Sequence, residues 1–425
     1  MARILLSAYA CEPDRGSEPG VGWSWAVELS RLGHEVWVLT RTDNRSAIES
    51  KPGLNLNFMY YDLPRWMQFC RTRFSGKLLC YVLWQWCAAG YVRKLFPALP
   101  FDAVQHVTYV SVRYPSFMGS LGIPFYFGPV SGGERIPARL RKGFSFQERW
   151  CERLRDLSNC LVPLDPLLRW VFRRADKIIV THDTVPLIPR RLRHKCDVRL
   201  AVGLTTEYLN HAATASQHDD RCFRLLYVGR LLEWKGIDVA LRAIRQLKQW
   251  QLDVRFTIVG DGPARSRFVK LARKLELSEI VDWVNYIPRS AVEDHYRNAD
   301  LFLFPSLRDS GGTAVLEALA HGLPVVCTEL GGPGVMVNER CGRVVPAVDR
   351  TQEEFAIGFA DAVREIMTTS GLHHHLSAGA KARAREFDFQ NLVRSVYRVS
   401  PRSEAIHKHE CTLQLSALVP RDISS

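Results

Sequence analysis

Short apolar runs and helical stripes alternate along most of this chain of 425 residues. In the first half, ARILLSAYA (2–10), EVWVLT (35–40), the run opening FDAVQH (101–117), IPFYFGPV (123–130) and ADKIIVTHD (175–183) are each closed by turn residues. The second half repeats the theme with FRLLYV, RFTIV, DWVNYIP, DLFLFPS, PVVCT and GRVVPAV. Apolar runs of this length read as strands buried on both faces of a parallel sheet. Between them, WSWAVELSRLG, IDVALRAIRQL and SRFVKLARKL carry the stripe of amphipathic helices. Strand and helix in alternation predict an α/β protein with doubly wound parallel sheets.

The rhythm fails at Asn210–Arg221, NHAATASQHDDR, which is polar and aperiodic and reads as a linker. It divides an N-terminal Rossmann-like domain (1–209) from a C-terminal one (222–385). A last helix within 386–400 is expected to cross back to the first domain, and 401–425 is expected to be a polar, disordered tail. A chain of this length exceeds one ordinary core, which agrees with two domains.

The densest chemistry lies in 305–334, PSLRDSGGTAVLEALAHGLPVVCTELGGPG. DLFLFPS predicts a strand, Gly311 and Gly312 open a helix over about 313–321, and Gly322 with Pro324 ends it. Residues between such a strand and helix sit where open α/β sheets bind ligands, and the first helical amides point at an anion there. Gly312 and Thr313 would supply those amides. Asp309 and Glu317, eight apart, flank the helix start, with Glu317 expected about two turns beyond Asp309.

In the loop VGRLLEWKG, Arg230 and Lys235 stand beside Gly229 and Gly236 after another strand. Two cations so placed can clamp a diphosphate, the arginine as a fork and the lysine as a point charge. Together with the helix start they point to a nucleotide diphosphate. Glu317 is suited to ribose hydroxyls and Asp309 to sugar hydroxyls. No Asp-x-Asp occurs, so no metal and no cofactor is expected. Gly16, Gly20 and Gly22 read as a flexible loop approaching the ligand from the opposite side; their spacing does not match GxGxxG. His106, near the carboxyl end of a strand, would face the same cleft.

Charge is asymmetric. Between Pro64 and Leu200 there are 23 Lys and Arg against 9 Asp and Glu, enough to account for the net +13 of the whole chain. That points to an anionic partner surface for the N-terminal half. The stretch 64–100 holds no acidic residue and brackets LLCYVLWQWCAAGYV with arginine and lysine; it reads either as a membrane-interface helix or as a core helix. No helix-turn-helix, RNP or zinc signature accompanies the basic clusters, so nucleic acid is not expected as a partner. Eleven cysteines without a CxxC pair read as reduced thiols of a cytoplasmic protein, and the N-terminus opens as a strand rather than a signal peptide.

These motifs resemble the retaining glycosyltransferases of GT-B family 4 (glycosyltransferase group 1), over about residues 1–398. DSGGTAVLE is similar to the family's paired glutamates, with Asp309 in the first place; GRLLEWKG is similar to its diphosphate clamp, VGDGP to its turn at Gly260 and Gly262, and GSEPGVG to its N-terminal glycine loop. The resemblance implies two facing domains with an interdomain cleft. It implies a nucleotide-sugar donor held by Gly20, Gly229, Arg230, Lys235, Gly260, Gly262, Asp309, Gly311, Gly312, Thr313 and Glu317, with His106 near the sugar. The expected acceptor is a lipid-linked or oligosaccharide glycan of a bacterial surface polysaccharide, reached at the inner membrane face. Two rival readings are a sugar-nucleotide epimerase of the same architecture and a non-catalytic nucleic-acid-binding protein.

Overall fold

The computed structural model describes residues 1–13, 15–51, 55–64, 67, 76–200, 202–212 and 222–397. Two parallel sheets carry the chain. The first contains β1 (Arg3–Ser7), β2 (Glu35–Thr40), β3 (Leu56–Tyr60), β4 (Ala103–His106), β5 (Phe125–Val130), β6 (Lys177–Val180) and β7 (Cys196–Val198), in the order β3-β2-β1-β4-β5-β6-β7. The second contains β8 (Phe223–Val228), β9 (Val254–Val259), β10 (Val281–Val284), β11 (Leu301–Phe304), β12 (Val325–Thr328) and β13 (Gly342–Val345), in the order β10-β9-β8-β11-β12-β13. Each sheet reverses its winding once, between β1 and β4 in the first and between β8 and β11 in the second. A crevice opens at the carboxyl ends of the strands at such a point.

The central strands are apolar on both faces, as buried parallel strands must be: Leu301–Phe304 and Val325–Thr328 are buried throughout. Six helices matter below: α1 (Ser17–Arg31), α2 (Gly76–Leu95), α3 (Phe146–Leu161), α4 (Pro166–Arg174), α5 (Thr313–Ala320) and α6 (Phe389–Tyr397). Phe389, Val393 and Val396 of α6 join Trp25 and Leu29 of α1 in one buried cluster, and the Phe389 and Trp25 rings meet edge to face at 5.6 Å. Ile136, Leu140 and Phe144, from the first half of the chain, are buried in the core of the second sheet. Asn210 and His211 end a short helix rather than starting a linker, and 213–221 and 398–425 lie outside the described residues.

One local reading changes and one open choice is decided. The glycines of GSEPGVG form no open loop: α1 starts at Ser17, so Gly20 and Gly22 lie inside its first turns. A Cβ on Gly22 would stand 2.3 Å from the Ala10 carbonyl oxygen, so the residue is small because backbone passes against it. In 64–100, α2 turns Cys80, Tyr81, Trp84, Gln85, Ala88, Ala89 and Val92 into the first domain, which makes it a core helix, with Leu78, Leu79 and Trp86 outward. Among the described residues no helix is long and apolar enough to cross a membrane. Residues 65–66 and 68–75 of that stretch lie outside the described residues.

Candidate active site

A cavity of about 570 Å³ lies between the two switch points. Its C-terminal wall is the β11–α5 connection. Gly312 adopts φ +68°, a left-handed turn that glycine tolerates without strain, and α5 begins directly after it. Asp309 folds its carboxylate onto that turn: Oδ1 accepts from the backbone N–H of Gly311 at 3.2 Å and of Gly312 at 2.9 Å. Oδ2 accepts from the Lys235 ammonium, which reaches over from the loop after β8 and lies 5.4 Å from the Phe304 ring. Both groups are largely buried, so the pair is only weakly screened by solvent. Glu317 sits about one helical turn into α5 rather than two turns beyond Asp309, because the intervening glycines are loop, not helix. Its Oε2 accepts from the Tyr296 hydroxyl at 3.1 Å.

The N-terminal wall comes from the start of α1 and the ends of β4 and β5, through Glu18, Gly20, Val107 and Ser131. Glu18 was not singled out from the sequence, although it stands inside the quoted GSEPGVG. It accepts from the Tyr109 amide at 2.6 Å. Burial raises its pKa, and that hydrogen bond only partly offsets the rise. Glu18, Ser131, Asp309 and Ser310 also line a second cavity, so the two spaces meet there.

The second cavity is rich in guanidinium groups: Arg113, Arg155 and Arg308. Arg113 donates to the Gly132 carbonyl and to Asn159 Oδ1, at 2.8 and 2.6 Å. Arg155 donates to Glu134 at 3.3 Å, and Arg308 pairs with the buried Glu152. Burial, with Arg308 and Arg113 close by, pulls the Arg155 guanidinium down to about 10. Crowded, partly dehydrated cations of this kind are stabilised by an added anion.

Eight of the residues expected at the site line the first cavity: Gly20, Gly229, Lys235, Asp309, Gly311, Gly312, Thr313 and Glu317. Four do not. Arg230 is exposed on its loop, outside the lining. Gly260 and Gly262 lie in the loop after β9, packed against the backbone of Gly229 and Leu231. His106 is buried behind the wall, where its Nε2 meets the Tyr81 hydroxyl at 3.0 Å, the Gln85 amide at 3.2 Å and the Thr108 carbonyl at 3.1 Å. Desolvation lowers its pKa to about 4 against the opposing Thr108 bond, so the ring is neutral. Among the described residues, no group of three or more His, Cys, Asp or Glu side chains could hold a metal ion.

Two parallel sheets of this topology, each with its switch point on a common cleft, define the GT-B class of fold. Residues 212–383 match the family model for glycosyl transferases group 1. Over 155 residues the chain is 32% identical to the amylovoran biosynthesis glycosyltransferase AmsK of Erwinia amylovora, covering 35% of this chain and 38% of that one. The chain spans about a third of the length of the curated relatives it matches first. Among solved structures, sucrose-phosphate synthase from Thermosynechococcus elongatus superposes with a TM-score of 0.64 at 18% identity, covering 98% of this chain and 100% of that one. Anabaena HepE in complex with UDP and glucose superposes at 0.58 and 14% identity, over 98% and 100%.

Proposed function

We propose that this chain is a retaining, metal-independent glycosyltransferase that moves a sugar from a nucleotide diphosphate to a lipid-linked glycan acceptor in surface-polysaccharide synthesis. The observation that carries the reading is the junction of the two cavities, where a cation, a helix N-terminus and two carboxylates from one sheet face Glu18 from the other. The donor diphosphate lies against Lys235 and the first amides of α5, which offset the charge that grows on it as the anomeric C–O bond breaks. Glu317 holds the ribose, and Asp309 turns toward sugar hydroxyls once the diphosphate takes over Lys235. The acceptor enters through the arginine-lined cavity, which suits a phosphate-bearing carrier. Its hydroxyl oxygen bonds to the anomeric carbon on the face the leaving group departs from, and its proton passes to the departing phosphate. The names of AmsK and of HepE with UDP and glucose support the polysaccharide setting and a uridine donor.

The test is a thermal-shift panel with UDP, GDP and ADP, followed by product analysis with the matching nucleotide sugar. One nucleotide should raise the unfolding midpoint. The product should keep the donor's anomeric configuration, by NMR, with no loss of rate in EDTA. An inverted product, or epimerisation of the donor without acceptor, would overturn the reading.

A further inference from the structure

Helix α3 is amphipathic the wrong way round. Its N-cap, Ser145, accepts from the Glu148 amide at 3.3 Å, and its buried side chains are the polar Glu152 and Asn159. Together with Arg155 these face the cleft: Glu152 pairs with Arg308, Arg155 with Glu134, and Asn159 donates to the Gly132 carbonyl at 3.2 Å. At about 100° per residue, Phe146, Trp150, Leu154, Leu157 and Leu161 fall within roughly 80° of arc on the opposite side. All five are exposed, as are Leu164 and Leu167 in the following turn and at the start of α4, at 39% to 70%. Surface helices ordinarily bury the apolar stripe and wet the polar one. An apolar stripe this continuous marks a surface that is covered in use.

The charges around it select the cover. Between 142 and 174 every exposed charged residue is a cation: Lys142, Arg149, Arg153, Arg169, Arg173 and Arg174. None of the segment's four acids is exposed: Asp156 pairs with Arg141 at 2.5 Å, Asp165 caps α4, Glu152 is buried, and Glu148 is partly buried in the first turn of α3. Arg153 lies 5.3 Å from the Trp150 ring, at the edge of the stripe. Leucine and tryptophan flanked by arginine is the composition of a helix seated in a lipid interface with anionic headgroups. A second copy of the chain would bring the same arginines face to face, which like charge opposes.

We infer that α3 and the start of α4 dock this protein on an anionic lipid bilayer, with the apolar stripe in the headgroup boundary and Arg155 of the polar face lining the second cavity. The docked helix would then carry the acceptor cavity to the membrane surface; the identity of what the membrane delivers rests on the transferase reading, whereas the docking itself does not.

Flotation of the full chain tests this, with vesicles of phosphatidylethanolamine and phosphatidylglycerol against vesicles of phosphatidylcholine. The wild type should float with the anionic vesicles. Leu154→Ser/Leu157→Ser should lose about ten-fold or more in partition at unchanged circular dichroism. Arg149→Gln/Arg153→Gln should lose most of the preference for anionic over neutral vesicles, as should the wild type in high salt. A leucine variant that floats like the wild type overturns the proposal. So does a wild type that stays in solution, or one whose stripe serves only a dimer seen by sedimentation. Nucleotide thermal shifts on the same samples separate the two readings: nucleotide binding without flotation sinks the docking alone, and flotation without nucleotide binding sinks the donor site alone.

Discussion

Two strand-to-helix connections face each other across the cleft, and both are rich in glycine and carry an acid. After β11, Gly312 is the turn itself: its positive φ lets α5 start there, and Asp309 ties down the turn with one oxygen and Lys235 with the other. After β1, Gly20 and Gly22 lie within α1, present because the Arg15 and Ala10 carbonyls pass too close for a side chain, while Gly16 caps the helix in open space. The acid there, Glu18, reaches across to the Tyr109 amide of the loop after β4. The same letters therefore mark a bend in one place and a close contact in the other. On the C-terminal side both acids and the helix amides lie within one loop and the first turns of one helix, joined by Lys235 from the loop after β8. On the N-terminal side it is assembled from three segments far apart in sequence.

The largest effect expected is at the C-terminal wall. Lys235→Ala removes the cation from the pocket and leaves the Asp309 carboxylate with only its two amide donors. Transfer should fall about a hundred- to a thousand-fold in kcat/KM, the range for losing a group aimed at developing charge. Arg230→Ala, on the same loop but exposed outside the lining, should cost no more than about ten-fold, a rim cation's share. Steady-state kinetics on the pair decides it. Equal losses would mean that the loop closes over the donor and that the two walls differ less than their unliganded geometry implies.

The glycines at the start of α1 separate next. Gly22→Ala drives a Cβ to 2.3 Å from the Ala10 carbonyl oxygen and 3.0 Å from the Thr108 methyl, so α1 must shift; about 3 kcal/mol of stability should be lost in denaturant unfolding. Gly16→Ala, with open space around it, should change stability by less than about 1 kcal/mol. A costly Gly16→Ala together with a silent Gly22→Ala would restore the flexible-loop picture for this segment.

This contrast also explains what could be read from the sequence. Strand runs such as DLFLF and PVVCT name their own burial, and the spacing of Asp309, Gly311, Gly312 and Glu317 is short enough to be a site in one glance. Lys235 needed only the strand before it. Glu18 could not be picked out, because its partner is the backbone of Tyr109, 91 residues away. The outward stripe of α3 was hidden for another reason. Phe146, Trp150, Leu154, Leu157 and Leu161 have an ordinary helical period, which says that a face exists but not which way it points. Only the buried Glu152 and Asn159 reverse it.

His106 gives the smallest effect at neutral pH and the clearest test of the N-terminal wall. Its place at the end of β4, beside the switch point, suits a catalytic histidine, yet the ring is 1% exposed and packed between α2 and the Thr108 carbonyl. Burial holds its pKa at about 4 against an ordinary value of 6.5. Between those values the unfolded chain binds the proton and the folded chain does not, so stability rises with pH through this window and is lost as pH falls from 6.5 toward 4. The stabilisation at stake is about 3 kcal/mol, from roughly 1.4 kcal/mol per pKa unit. His106→Gln cannot take up that proton. The variant should therefore lose less stability than the wild type between pH 6.5 and 4, by urea titration at each pH, while its transfer rate at pH 7 changes only as far as its fold is perturbed. A variant that keeps the acid dependence of the wild type but loses transfer at full stability would move His106 from the core into the chemistry.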